Sequence, residues 1–222
     1  MLKQTLVLTL FGLATTAQAQ TAPSSKDIAR YEGLHLAAHN GDTAEIARLA
    51  RSGADLNALD RRHRTPAHVA AYASHDDSLK ALADAGADMN ALEFQAYDIV
   101  TIAAVADDPE LMSLAIDLGN DPGLTTSPYD GTALIAAAHL GHVEVVRRLI
   151  DAGAPLDHVN NLGWTALIEA VVLGDGGPDH QAVVQLLVDA GADRTIGDFD
   201  WITSLEHAQD RGFSEMVKIL SE

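Results

Sequence analysis

The stretch of residues 132–155 reads TALIAAAHLGHVEVVRRLIDAGAP and shows the pattern of this chain most clearly. Its first half holds small apolar residues around an alanine pair, which suit a short helix that packs closely on its neighbours. After the turn at Gly141-His142, apolar residues recur at helical spacing up to Ile150 and predict a second helix with one buried face. Gly153 follows this helix, where a left-handed C-terminal cap favours glycine. The stretch therefore predicts a pair of helices joined by a tight turn.

The same pattern recurs along the chain. The glycine-led triplets that close its copies start at residues 53, 86, 119, 153 and 191, which are 33, 33, 34 and 38 residues apart. A nearly fixed period of this size is the sequence signature of stacked repeats. A single unit cannot bury its own apolar face, so stability must come from neighbouring units and the end units must be modified.

These units resemble the ankyrin repeat, whose pattern is T-P-L-H-x-A-A, then G-H-x-E-V-V-x-L-L and G-A-D-x-N-A. The resemblance rests on TPAHVAA at residues 65–71 and GHVEVVRRLI at residues 141–150, and it covers residues 31–222. It implies an all-α ankyrin-repeat solenoid of about six helix-turn-helix repeats with β-turn fingers and a C-terminal capping repeat over residues 203–222. It also implies a structural hydrogen-bonding role for three histidines: His35, His68 and His142.

Two repeats depart from the pattern. In the third, Asp107-Asp108-Pro109 replaces the Gly-His turn, and either aspartate is expected to cap the helix that Pro109 begins. In the fifth, five extra residues fall within residues 173–180 and predict a longer turn between its two helices, because insertions collect in loops. The alternative is a cation site formed by three side chains of this segment: Asp175, Asp179 and His180.

The first 30 residues differ from the repeats. Lys3 precedes an apolar run from Leu6 to Ala14, and Ala17-Gln18-Ala19 fits the cleavage site of a secretory signal peptide. The apolar run is too short to anchor the chain in a membrane. We therefore expect residues 1–19 to be a signal peptide and residues 20–30 a linker, so that the mature protein is periplasmic or secreted and has no membrane span.

Composition narrows the function. The chain has 14 Lys and Arg against 32 Asp and Glu, a formal net charge of −18, so binding to nucleic acid is not expected. It has no cysteine, which excludes thiol catalysis, cysteine-ligated zinc and iron–sulfur clusters. No catalytic constellation or G-x-S-x-G turn can be placed on adjacent repeats. The sequence therefore predicts a non-enzymatic, monomeric binding module without a cofactor or metal.

Aromatic residues supply the candidate binding face. Most of the aromatic side chains after residue 19 fall in the predicted fingers or at their bases, among acidic residues. Aromatic side chains within a polar rim are typical of a protein-binding surface. Positions after the alanine pairs are expected on the concave face and supply three further candidates. The candidate protein-binding residues are His39, Tyr72, Phe94, Tyr97, Tyr129, His139, Trp164, Phe199 and Trp201.

The expected partner is a protein with a basic segment, bound in an acidic, aromatic groove on the concave finger and inner-helix face. Two other functions stay open at this point. Residues 163–170 and 173–178 resemble small exported bacterial ankyrin repeat proteins, some of which are associated with catalases and peroxide resistance. That resemblance implies an accessory role for a haem enzyme such as catalase. Neutralisation of a basic toxin or effector would suit the acidic groove equally well.

Overall fold

The computed structural model describes residues 21–222, so the expected signal peptide of residues 1–19 lies outside the described residues. Residues 21–222 form thirteen helices and no β-strand. The first, α1 (Ser25–Ile28), is a single turn, and the other twelve form six consecutive pairs. The first member of each pair is called the inner helix: α2 (Gly33–Asn40), α4 (Pro66–Tyr72), α6 (Ile99–Ala106), α8 (Ala133–Leu140), α10 (Ala166–Val172) and α12 (Ser204–Asp210). The second is called the outer helix: α3 (Thr43–Arg51), α5 (Asp76–Asp84), α7 (Pro109–Asp117), α9 (Val143–Asp151), α11 (Pro178–Asp189) and α13 (Ser214–Ser221).

The helix pairs stack in chain order. Each inner helix packs on the next inner helix, and the outer helices α7, α9, α11 and α13 stack in the same way. The alanine pairs of the first four inner helices are buried, with no side chain more than 3% exposed. Because alanine carries only a methyl group, adjacent inner helices can approach closely. The six pairs confirm the predicted all-α solenoid.

The third repeat keeps the fold with different residues. Thr65, Thr132 and Thr165 each cap an inner helix by accepting a hydrogen bond from the backbone three residues later. In the third repeat Asp98 does this for α6, accepting from Thr101 N at 2.8 Å. Asp108 caps the outer helix α7 in the same manner, which settles the sequence alternative between the two aspartates. An aspartate thus replaces threonine without loss of the helix start.

Three histidines connect neighbouring repeats, as the resemblance implies. His35 Nε2 donates to Arg64 O at 2.9 Å, and His68 Nε2 donates to Tyr97 O at 3.2 Å. His142 Nδ1 donates to Ala104 O at 2.8 Å. Burial lowers the pKa of His68 to about 4, so this imidazole is neutral at physiological pH. These side chains hold the stack together.

The insertion in the fifth repeat is divided between a loop and a helix. The loop of residues 173–177 is longer than the two-residue turns of the first, third and fourth repeats, as expected. The outer helix α11 is also longer, with 12 residues where α9 has 9, because Gly177 and Pro178 begin it early. Asp175 accepts from His180 Nδ1 at 3.0 Å. Residues 21–222 contain no group of three or more side chains placed to hold a metal ion.

Residues 21–30 contact the rest of the chain through Ile28, which packs against the core, and through the buried Arg64 before α4. Arg64, only 1% exposed, donates from Nη1 to Thr21 O and pairs with Asp27 and Asp60 at 3.2 and 2.8 Å. The hydrogen bond from the Ser24 side chain, supported by Arg64, lowers the pKa of Asp27 to about 2. The predicted linker therefore contains the short helix α1. No helix within residues 21–222 has the length and apolarity needed to cross a membrane.

Candidate protein-binding surface

Five fingers connect the repeats in the described part of the chain, and one side chain at the base of each fixes its shape. In the first finger Asp60 Oδ1 accepts from the backbone N–H of Arg62 and Arg64. The same bonds to residues two and four positions later recur in every finger. Such side-chain turns hold the backbone without help from a ligand. The five finger bases are Asp60, Glu93, Ser127, Asn160 and Asp198.

Backbone hydrogen bonds join the first four fingers into a row. Phe94 N donates to Arg62 O at 2.9 Å, and Ser127 N donates to Ala96 O at 3.0 Å. Asn161 N donates to Tyr129 O at 2.9 Å. A row tied together in this way is preorganised, which lowers the entropy cost of binding an extended partner.

Aromatic side chains project from these fingers. Phe94 is 67% exposed, Tyr129 56%, Phe199 72% and Trp201 87%. The Phe199 ring lies over Gly163 of the fourth finger, where an added Cβ would come within 2.9 Å of Phe199 Cγ. Isolated exposed apolar residues are common on proteins, but four exposed aromatic rings on the second, third and fifth fingers form a surface suited to a protein partner.

Trp201 has an unusual backbone conformation. Its φ of 63° lies in the left-handed region, which bulky residues rarely adopt. Trp201 N donates to Asp198 O at 2.8 Å, and the flanking Asp200 and Ile202 N–H groups donate to Asp198 Oδ1. The turn therefore holds a large, exposed ring at a position where Gly163 stands in the preceding finger. The equivalent position is left-handed in every finger, including His63, Ala96 and Asp130 in the first three, so the conformation is a property of the finger turn.

A cleft of about 370 Å³ opens beside the third finger. This central cleft is lined by side chains of the second, third and fourth fingers and of the inner helices α6, α8 and α10. Its lining includes Tyr97, Val105, Tyr129, Ile135, His139 and Glu169. Burial raises the pKa of the Tyr97 phenol, so this hydroxyl stays neutral. A second cleft, of about 560 Å³, lies beside α1, but it is lined by charged side chains of both signs and favours neither kind of charged partner.

Glu169 is a buried carboxylate in the central cleft that the sequence reasoning did not select. It is 5% exposed, and its Oε1 accepts from Asn160 Nδ2 at 2.8 Å. Its Oε2 lies 3.4 Å from His139 Nδ1. A signal was present in the sequence, because the equivalent positions of the four preceding inner helices are all apolar: Leu36, Val69, Ile102 and Ala136.

The structure brings together some of the predicted residues and separates others. Tyr97, Tyr129 and His139 meet in the central cleft. His39 lies at the N-terminal end of the stack, with its ring centroid 6.2 Å from that of Tyr31. Tyr72 is half-buried against the core, and burial raises its pKa. The remaining four candidates lie in or beside the fingers: Phe94, Trp164, Phe199 and Trp201.

Charge varies along the row of fingers. Arg61, Arg62 and His63 are exposed on the first finger, so this end is basic. Asp130 on the third finger and Asp200 on the fifth are exposed and acidic. The acidic groove expected on the concave finger face is therefore limited to the later fingers.

The stacked helix pairs and fingers define a repeat scaffold, and comparison with known proteins identifies its class. A family profile described as ankyrin repeats (3 copies) matches residues 7–93 and 100–198. The chain belongs to the ankyrin repeat family. Ankyrin repeats are protein–protein interaction modules and generally serve as non-enzymatic scaffolds.

Three particular proteins illustrate this similarity. An ankyrin repeat domain (ABAYE2397) from Acinetobacter baumannii AYE is 40% identical, with a TM-score of 0.79 over 85% of this chain and 95% of that one. The ankyrin repeat protein EF0377 is 31% identical, with a TM-score of 0.78 over 86% of this chain and 98% of that one. Over 93 residues the chain is 40% identical to the ankyrin repeat protein YahD of Escherichia coli strain K12. This matched segment covers 41% of this chain and 46% of YahD. The chain thus spans less than half the length of this curated relative.

Proposed function

We propose that this protein is a non-enzymatic interaction module that binds a partner protein with a basic segment and acts in the periplasm or outside the cell. Binding occurs on the finger face, defined as the five fingers together with the central cleft. The observation that carries this proposal is the set of exposed aromatic rings on the second, third and fifth fingers. Tyrosine and tryptophan supply much of the affinity where proteins meet.

The charge distribution orients the partner. The net charge of −18 attracts a basic protein over a distance and raises its association rate. The exposed Arg61 and Arg62 repel positive charge from the first finger. The basic segment is therefore placed over the third to fifth fingers, near Asp130 and Asp200.

Capture from a periplasmic extract of the source organism tests this proposal. The purified protein is compared with the triple variant Phe94→Ala, Tyr129→Ala, Trp201→Ala, at low and high salt. These three rings are largely exposed, so their loss should leave the helical circular dichroism unchanged while weakening capture by tenfold or more. The matched control is Leu173→Ala, which removes an exposed apolar side chain from the loop of residues 173–177.

Each outcome has a clear meaning. One partner that is retained by the control and lost by the triple variant supports the proposal. Equal capture by the triple variant refutes it, and a varied set of basic proteins released by salt indicates unspecific charge attraction. Identification of the partner separates a haem enzyme such as catalase from a basic toxin. Cell fractionation tests the location, and a cytoplasmic mature chain would contradict it.

A further inference from the structure

The central cleft contains one charged group whose burial is not compensated by a permanent cation. Glu169 is 5% exposed, and burying an ionised carboxylate is costly unless it is paired. Within the described residues its ion-pair partner is His139, which is charged only when protonated. Its other contact is the neutral amide of Asn160.

The position of Glu169 shows that the fold does not require a carboxylate there. The preceding inner helices have Leu36, Val69, Ile102 and Ala136 at the same position, and all six helix pairs still form. Glu169 also accepts from Nδ2 of the buried Asn160 and so supports the base of the fourth finger, but a neutral amide could accept the same bond without the cost of burying a charge. The charge, and not the hydrogen bond, therefore indicates a role in binding.

We propose that the central cleft binds the side chain of a single lysine or arginine from the partner's basic segment. This inference rests on the proposed function, because the basic side chain belongs to the protein that the finger face binds. Glu169 pairs with the charge, and each carboxylate oxygen can accept more than the one contact that it makes now. The Glu169 carboxylate thereby gains the permanent cation that it lacks.

The rest of the lining suits such a side chain. Val105, Ile135 and Ala136 provide apolar surface for the aliphatic stem. Tyr97 and Tyr129 present aromatic rings, which attract a cation placed over their faces. The cleft lining contains no lysine or arginine that would compete for Glu169. A volume of about 370 Å³ accommodates one long side chain.

A double-mutant cycle tests the pairing. A displayed library of random seven-residue peptides is selected against the purified protein, and the best peptide is synthesised with its lysine or arginine and with norleucine in that place. Dissociation constants are measured for both peptides against the wild type and Glu169→Gln, which preserves the shape of the side chain. The control variant is Glu110→Gln, which removes the same charge from the exposed start of α7.

Selected peptides are expected to share one lysine or arginine. Replacing it with norleucine should weaken binding to the wild type by about tenfold or more, but change binding to Glu169→Gln by less than about threefold. Glu110→Gln should behave like the wild type. Thermal unfolding of Glu169→Gln checks that the variant is folded.

The outcomes separate this inference from the proposed function. Two outcomes would overturn the cleft assignment but leave the finger face in place. The selected peptides could depend on Tyr129 yet share no basic residue. Alternatively, the norleucine replacement could weaken binding equally in the wild type and in Glu169→Gln. Two other outcomes would overturn both the cleft assignment and the finger-face proposal. One is failure to select any peptide, and the other is peptides whose affinity is unchanged by Tyr129→Ala and by Trp201→Ala.

Discussion

Replacement of Trp201 by glycine should make the protein more stable while it abolishes partner binding. Trp201 has a φ of 63° and is 87% exposed, so it has an unfavourable backbone conformation and few contacts to offset it. In the preceding finger, Gly163 occupies the equivalent position with a φ of 83°. Glycine therefore suits the turn better than tryptophan does.

The size of the effect follows from two opposing terms. A left-handed conformation costs a non-glycine residue about 1–2 kcal/mol, which the substitution recovers. Glycine loses more conformational freedom on folding, which costs about 0.5–1 kcal/mol. The net gain is about 0.5–1 kcal/mol, or a rise of about 1–4 °C in the melting temperature of a chain of this size.

Thermal and urea unfolding of Trp201→Gly measure the gain, and partner capture measures the loss. Phe199→Ala is the matched control, because Phe199 is similarly exposed on the same finger but has no positive φ. The control should not become more stable, since its ring contacts Gly163. A fall in the melting temperature of Trp201→Gly by more than about 2 °C would show that the ring stabilises the fold, and the strain argument would be wrong.

Three further predictions concern the scaffold. Asp98→Ala removes the α6 cap and should lower the free energy of unfolding, measured in urea, by about 2 kcal/mol. Asp98→Thr should recover most of this lost stability. Equal losses in both variants would contradict the prediction. Arg64→Met should cost about 3 kcal/mol because it leaves Asp27 and Asp60 without their cation, and a cost below about 1 kcal/mol would count against the pairing. The pKa of His68 is about 4 in the folded state and 6.5 in the unfolded chain, so the unfolded chain binds the proton first and stability falls as pH decreases from 6.5 to 4. Over this pH range the urea midpoint of His68→Gln should fall less than that of the wild type. If the midpoints of variant and wild type fell in parallel with pH, His68 would not be the source of the pH dependence.

Much of the fold could be predicted because the repeat pattern is local and recurs. The alanine pairs, the glycine after each of the first five outer helices and the His35, His68 and His142 positions each have one structural use in a stacked helix pair. Where the motif was lost, at Asp98 and Asp108, the same hydrogen-bonding chemistry still marked the helix starts.

The binding face was less predictable because it depends on contacts between repeats. The aromatic content of the fingers was evident in the sequence, but the left-handed conformation of Trp201 is set by the hydrogen bonds of its finger. Glu169 occupies a position that is apolar in the four preceding inner helices, which the sequence shows. Its surroundings, however, include Asn160 of the fourth finger and His139 of α8, and only the folded chain brings these residues together. The basic first finger was overlooked because a net charge of −18 hides local sign changes.

Site-specific photo-cross-linking in cells tests the central claim, that the finger face binds the partner. A photoreactive phenylalanine is incorporated in place of Tyr129 or Trp201 on this face, and in place of Lys80 or Lys218 on the exposed surface of α5 and α13. Cross-linking from residues 129 and 201 should give one discrete adduct of higher mass, and cross-linking from residues 80 and 218 should give none. Adducts from the outer helices without adducts from the fingers would contradict it.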